Sequence, residues 1–308
     1  MTKSKTNARG IVFLVITAVV WGFAFVAQTV GSDHVNTFTF NAIRFALGAL
    51  SLIPVILLFE KGADDKRKMK TTVTAGVVCG TVLFSASTLQ QYGIELYNKA
   101  GFGDGSGRAG FLTALYMVIV PLIGLFFRKR PSAETWFGIA FAVGGLFLIS
   151  FTKGFAVSFE DLVIIGCAFL FAIHITVIDR FGEDMYSLRF AMTQFIVCAV
   201  LSGVFSAVGT ATGLMEANTL ADIKAAALPI LYGGFMSVGI AYTFQILGQK
   251  NAEPAVASII MSTESMFSAI GGAIILGETM TTRGYIGCAL IFVGIILTQV
   301  KIFGRKRA

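Results

Sequence analysis

The stretch Trp136-Phe137-Gly138-Ile139-Ala140-Phe141-Ala142-Val143-Gly144-Gly145 returns 149 residues later as Tyr285-Ile286-Gly287-Cys288-Ala289-Leu290-Ile291-Phe292-Val293-Gly294. Two glycines and an aromatic keep their places, and just upstream Ser132 falls on Thr281. Toward the other end of the chain an offset of 150 sets Gly22 on Ala172, Phe40 on Phe190 and Phe45 on Phe195. The chain therefore reads as two copies of one unit, residues 1–153 and 154–308.

The composition says what each copy is made of. Apolar residues make up 56% and charged residues 13%, and the mean hydropathy is +0.80, which excludes an ordinary soluble domain. A hydrocarbon layer about 30 Å thick takes roughly 20 apolar residues per helix. Ten such runs are legible: 10–30, 38–59, 71–91, 109–127, 135–151, 161–178, 187–208, 225–247, 254–276 and 284–302. Barrel strands would be about ten residues long and would alternate in polarity; these runs do neither. The expected fold is an all-α integral membrane protein of ten transmembrane helices. Five runs per copy is an odd number, so the second copy enters the bilayer upside down relative to the first. Inverted repeats of this kind build secondary transporters, with the substrate site near the midplane where the copies meet.

A net charge of +7 invites a nucleic-acid reading, but its distribution points elsewhere. The even-numbered gaps and both tails carry eighteen basic residues, including Lys66, Arg67, Lys68, Lys70, Arg128, Lys129 and Arg130. The odd-numbered gaps carry five: Lys99, Arg108, Lys153, Lys224 and Arg283. Positive charge gathers on the cytoplasmic side of membrane proteins, so both termini are expected in the cytoplasm of a multi-pass protein of the plasma or inner membrane. The charge then serves topology and anionic headgroups; no nucleic-acid partner is expected.

The first run is long enough to span, and Gln28-Thr29-Val30-Gly31 offers no small-residue cleavage pattern, so a cleaved signal peptide is not expected. Cys79, Cys167, Cys198 and Cys288 all fall inside runs without metal spacing and read as small buried hydrophobes. No catalytic residue, metal or cofactor is expected, for the chain has no HExxH, no phosphate loop and only two histidines, His34 and His174. The glycine-rich 101–107 follows a membrane helix and lacks Lys-Ser/Thr, so it reads as a flexible outer loop.

Several segments together resemble one family. They are Trp21-Gly22-Phe23-Ala24-Phe25-Val26, Arg44-Phe45, Ala109-Gly110-Phe111-Leu112-Thr113-Ala114-Leu115-Tyr116 with Pro121, Ser262-Thr263-Glu264-Ser265-Met266-Phe267, and Leu276-Gly277-Glu278 followed by Gly287 and Gly294. In order and duplication these are similar to the drug/metabolite transporter superfamily, in its ten-helix form with two EamA-type repeats. The resemblance implies export, less often uptake, of amino acids and other small metabolites through a central cavity by alternating access. Two departures stand out: Glu264-Ser265 replaces the Glu-Pro of many relatives, and Asn98–Arg108 is richer in glycine than the tight loop expected there.

Ionisable groups inside a bilayer cost at least about 2.5–3.5 kcal/mol at its centre and are functional candidates for that reason. Glu264 lies near the middle of the ninth run among Ser262, Thr263 and Ser265. It fits a proton site or a counter-ion for a substrate amine, and equally a carboxylate tying helices together. Arg44, about two turns into the second run, can grip a substrate carboxylate or pair with Glu264. His174, mid-run, is a second proton-coupling candidate or a hydrogen-bonded interior residue. Softer candidates for the cavity wall are Gln91 at the polar end of the third run, Thr113 and Tyr116 one turn apart, Tyr242 and Gln245 at helical spacing, and Trp21. Gly76-x-x-x-Gly80 reads as a packing face.

With one buried base and one buried acid, this inventory suits a small zwitterion or amphipathic metabolite better than a polyanion. The expected partners are a small-molecule substrate, the lipid bilayer and protons as coupling ion. The expected function is a secondary carrier exporting amino acids or related amphipathic compounds. A multidrug or lipophilic-cation exporter, an uptake permease and a non-transporting membrane scaffold or complex subunit remain open alternatives. An enzyme would need a nucleophile–base cluster that the chain does not show.

Overall fold

The computed structural model describes residues 7–62, 65–101, 105–128, 130–150, 158–181, 185–277 and 282–299. Every regular element among them is a helix. In chain order these are α1 (Ala8–Ser32), α2 (Thr37–Phe59), α3 (Lys66–Lys99), α4 (Gly105–Ala114), α5 (Tyr116–Phe126), α6 (Ala133–Ser150), α7 (Phe159–Phe181) and α8 (Ser187–Ala211). There follow the short α9 (Leu220–Ala225), α10 (Ala227–Leu231), a π-helical stretch Tyr232–Tyr242, α11 (Thr243–Gln249), α12 (Pro254–Met261), α13 (Glu264–Gly271), a π-helical turn Gly272–Leu276 and α14 (Thr282–Gln299).

Eight stretches of these helices are long and apolar enough to cross a membrane: Ala8–Ser32, Thr37–Phe59, Lys66–Lys99, Gly105–Phe126, Phe159–Phe181, Ser187–Ala211, Ala227–Gln249 and Pro254–Leu276. Eight of the ten expected runs are thus met. The other two correspond to α6 and to α14, whose apolar stretch Tyr285–Leu297 is shorter. Long apolar runs become helices because only an element that satisfies its own N–H and C=O groups is tolerated in lipid. Polar side chains mark where they start: Asn7 caps α1 by accepting from Gly10 N at 2.8 Å, and Asn36 caps α2 by accepting from Thr39 N at 2.9 Å.

α6 and α14 form an antiparallel pair at van der Waals limits. A Cβ placed on Gly145 would lie 2.4 Å from the Gly287 carbonyl oxygen, and one on Gly294 would lie 2.6 Å from that of Gly138. These are the four glycines that the repeat equates, and their contacts are reciprocal. Small residues at such crossings let helix backbones close on each other where lipid supplies no hydrophobic drive. Gly76 and Gly80 do the same for α3 against Thr193 and Val197 of α8. α2 packs on α8 and on the π stretch, α3 on α7, and α1 on α13 and α11.

One end of the bundle, here the near end, holds the start of α1, the end of α2 and the start of α3. There the Glu60 carboxylate accepts from Leu188 N at 2.9 Å and Arg189 N at 3.2 Å, capping α8. Asn7 and Asn251 join α1 to the α11–α12 turn through one side-chain bond at 3.1 Å and one backbone bond at 3.2 Å. The far end is tied by charge. Asp161 accepts from Tyr97 Oη at 2.5 Å, from Arg108 Nε at 2.6 Å and from Ser158 N at 2.7 Å, so α3, α4 and α7 share one carboxylate. Arg108, expected in a loop, sits in the first turn of α4, because α3 continues to Lys99 and turns back at Gly101 with φ of 72°. Of the expected 98–108 loop, residues 102–104 lie outside the described residues, as does Glu278.

Asp161→Ala is expected to destabilise the fold strongly. It removes the acceptor shared by Tyr97, Arg108 and Ser158, and breaking a pair like that with Arg108 costs about 3 kcal/mol when, as here, one partner keeps some contact with solvent (21% of the Arg108 side chain). Thermal unfolding in detergent measures it; a midpoint unchanged from that of the parent protein would contradict a stabilising role for the network.

Candidate functional site

Two spans are broken, and both breaks fall where the bundle needs a side chain aimed inward. Leu115 interrupts the span of α4 and α5, and Ser262-Thr263 interrupts that of α12 and α13. No proline stands at either point. At Ser262-Thr263 the short hydroxyl side chains take over, with Ser262, Thr263 and Ser265 donating to the carbonyls of Ile259, Ile260 and Ser262 at 2.7–2.8 Å. Such back-bonding competes with the helix ladder and bends it. The hydroxyls around Glu264 therefore serve the backbone. At the offset of 149 Leu115 falls on Glu264, so the two breaks lie within two residues of each other in the repeat.

The breaks bring Tyr116 and Glu264 to a central cavity lined by Trp21, Ala24, Phe25, Gln28, Arg44, Gln90, Thr113, Tyr116, Phe171, Ser237, Tyr242 and Glu264. Its volume open to water is about 20 Å³, room for about one water molecule. Toward the near end, Leu14, Ile178, Ile246 and Ile260 belong to the buried hydrophobic core, each at most 1% exposed.

The wall carries unspent hydrogen-bonding capacity. Arg44 Nη2, Glu264 Oε1, the Tyr116 hydroxyl and Gln28 Oε1 are all buried without a well-formed hydrogen bond among the described residues, and the Tyr116 hydroxyl and the Glu264 carboxylate face each other. Buried polar groups are nearly always bonded, so four exceptions on one small cavity call for a cause. Arg44 and Glu264, the sequence candidates for mutual neutralisation, form no ion pair. Arg44 Nε instead donates to Asn41 Oδ1 at 2.9 Å, and its guanidinium lies 5.4 Å from the Phe40 ring centre and 5.1 Å from that of Phe45. Glu264 opens α13, where the positive end of a helix dipole favours a carboxylate.

The other candidates fall in two groups. Thr113 lines the cavity and accepts from Gln90 Nε2 at 3.3 Å. Trp21 lines it with its Nε1 donating to the Ser237 carbonyl at 3.3 Å and its ring edge-on to Tyr242 at 4.7 Å. Gln91 and Gln245 are buried but off the wall: Gln91 Nε2 donates to the Gln28 carbonyl at 3.2 Å, joining α3 to α1. His174 sits behind Tyr242, ring centres 6.1 Å apart, and shares a 3.0 Å hydrogen bond with Gln194 Oε1.

Gln28 and Ser237 are wall residues that the sequence reading missed, while Gln90 belongs to the polar end of the third run that it had marked. For Gln28 the signal was available, since Trp21, Ala24, Phe25 and Gln28 follow the helical period along one face. Ser237 and Tyr242 are five apart, and only in the π-helical stretch do such residues share a face.

Comparison with known proteins agrees with this architecture. The model of the EamA-like transporter family matches residues 8–151 and, a second time, 158–300. A protein of Archaeoglobus fulgidus named "Uncharacterized transporter" is 27% identical over 290 residues, covering 94% of this chain and 85% of its own. The "Uncharacterized transporter YoaV" of Bacillus subtilis is 21% identical over 311 residues, covering 95% and 97%. A solved crystal structure superposes with a TM-score of 0.75 at 17% identity over 96% of each chain, a likeness of fold.

Proposed function

The chain belongs to the EamA-like transporter family of the drug/metabolite transporter superfamily, and from that premise we propose that it exports amino acids or related small amphipathic metabolites by alternating access. The observation that carries this reading is the cavity's charge pattern. An arginine and a glutamate, both buried, line one small space without pairing, and each keeps an unbonded atom. A substrate bearing both a carboxylate and an ammonium group completes both at once. Trp21, Phe25, Phe171 and Tyr242 supply an apolar wall for its body.

In this reading the chain is ten transmembrane helices in two inverted five-helix repeats, 1–153 and 154–308, rocking about the site. The reciprocal glycine contacts of α6 and α14 support it. So does the ring contact at 6.2 Å between repeat mates Phe45 and Phe195. Both termini lie in the cytoplasm, in keeping with the basic residues of the near-end turns. Glu264 is the proton-coupling group, with His174 a second candidate. Arg44, Tyr116, Thr113, Trp21 and Tyr242 contact substrate, and Gln91 and Gln245 shape the pocket from behind.

Counterflow into proteoliposomes preloaded in turn with amino acids, amines and small organic acids tests the proposal. Transient accumulation of a labelled amino acid is the expected result. Accumulation of lipophilic amines alone would replace it with cation export, which Glu264 among aromatic rings also suits. Flat traces from folded protein would overturn the carrier reading for all three classes.

A further inference from the structure

We infer that Asn41 is a positioning residue that holds Arg44 as a carboxylate site on the first repeat's side of the cavity. The inference rests on the reading of Arg44 as a substrate contact and adds how that contact is built and why it is one-sided.

A buried arginine is ordinarily satisfied from several directions, because five N–H donors in a fixed fork are costly to leave unpaired. Here three constraints leave one edge over. Asn41, one turn before Arg44 on α2, accepts from Nε. Asn41 is itself anchored, its Nδ2 donating to the Ser87 carbonyl of α3 at 3.3 Å. The stem of Arg44 is confined by Gly233, where an added Cβ would lie 3.3 Å from Arg44 Cδ, and the guanidinium carbon lies over the Phe40 and Phe45 rings at 5.4 and 5.1 Å from their centres. What remains is the Nη1–Nη2 edge of a cavity-lining residue, with Nη2 fully buried and unbonded. An anchored amide on Nε fixes the plane of the fork, and a fixed plane is what bidentate carboxylate recognition requires.

The second repeat shows what this position becomes without the site. At an offset of 150, Asn41 corresponds to Ala191, Arg44 to Gln194 and Ala24 to His174. Gln194 Oε1 is met by His174 Nε2 at 3.0 Å, leaving Gln194 Nε2 and His174 Nδ1 without a partner among the described residues; both side chains are fully buried and neither is on the cavity wall. In the first repeat the small Ala24 leaves that space open, and Ala24 and Arg44 both line the cavity. One half thus closes the position with a neutral pair; the other opens it and places a held cation beside it.

The test needs a readout independent of transport. The chain has two tryptophans, Trp21 on the cavity wall and Trp136, 37% exposed on α6. Trp136→Phe therefore leaves Trp21 fluorescence as a reporter of the site. The probes are 4-methylpentanoate and 3-methylbutylamine, which share a branched apolar body and differ in charge. In the Trp136→Phe protein the acid is expected to give a saturable change. Asn41→Asp is nearly isosteric but pairs internally with Arg44; it should weaken acid binding by about tenfold or more, the worth of one charge-assisted bond, and leave the amine within about twofold. Asn41→Ala, which frees the fork to rotate, should weaken the acid in the same selective way and carries the test if Asn41→Asp does not fold. No acid response in the Trp136→Phe protein, an acid affinity unchanged by the substitutions, or an equal loss for acid and amine would each overturn the inference. Selective acid binding with flat counterflow would leave it standing and remove the carrier reading. Counterflow of amino acids without the selective loss would do the reverse.

Discussion

Glu264→Gln is expected to abolish accumulation driven by an imposed pH gradient, by at least about tenfold, while exchange of substrate across the membrane persists, needing more substrate because the carboxylate that meets its ammonium group is gone. The asymmetry follows from geometry. Gln has nearly the volume of Glu, so α13 keeps its place against α1 and α4, and the cavity keeps its shape. What is lost, in the coupling role proposed for it, is a group that takes up and releases a proton at a point 2% exposed and in no ion pair among the described residues. An intramembrane acid of this kind is costly to keep. Coupling gives it a use, since only in a gradient-driven cycle must the site change charge. Exchange returns the site to its starting state with substrate on both strokes and needs no such change. Uptake into proteoliposomes with and without a pH step separates the two. An unchanged pH dependence in the variant would remove Glu264 from the coupling role and leave it a counter-ion for the substrate ammonium.

Gly22→Val is expected to be the most damaging single substitution in the bundle, leaving little folded protein. A Cβ at this position would lie 2.2 Å from Phe267 Cβ and 2.8 Å from the carbonyl oxygen of Glu264. Neither neighbour is the loose end of a side chain: one is fixed to the α13 backbone and the other belongs to it. Ordinary overpacking costs about 1–3 kcal/mol because neighbours can shift. Here relief requires α1 and α13 to separate, and with them Trp21 and Glu264 on the cavity wall. Gly107→Val is the control, since Gly107 has nothing within 4 Å of an added Cβ. Folded yield in detergent and thermal midpoints compare the two; equal behaviour would mean that the α1–α13 crossing is not the constraint described.

The fold was legible to the extent that lipid dictates it. A bilayer admits one kind of long segment in a chain like this, so run length and polarity reveal the spans and Gly76-x-x-x-Gly80 a packing face, whereas the pairing of Gly138 and Gly145 with Gly294 and Gly287 across α6 and α14 appears only in the structure. The breaks at Leu115 and at Ser262-Thr263 were not legible, because no proline marks them. Nor was the π stretch, whose hydrogen bonds differ from those of an α-helix by one residue without any residue type that demands it. The site followed the same division. Glu264 and Arg44 announce themselves by charge, and Trp21, Thr113, Tyr116 and Tyr242 by polar or aromatic character inside apolar runs. Gln90 and Gln91 differ by one residue, about 100° around a helix, and composition alone cannot choose which of the two faces inward. Asn41 was passed over because its role appears only once the Nε of Arg44 has a direction.

The small size of the cavity has a bioenergetic meaning. Its open space admits about one water, and Leu14, Ile178, Ile246 and Ile260 are buried in the packed core toward the near end. A hydrated ion does not fit a space of that size, and a continuous file of waters has no room to form within it. In this conformation the cavity is an electrical gap and not a pore.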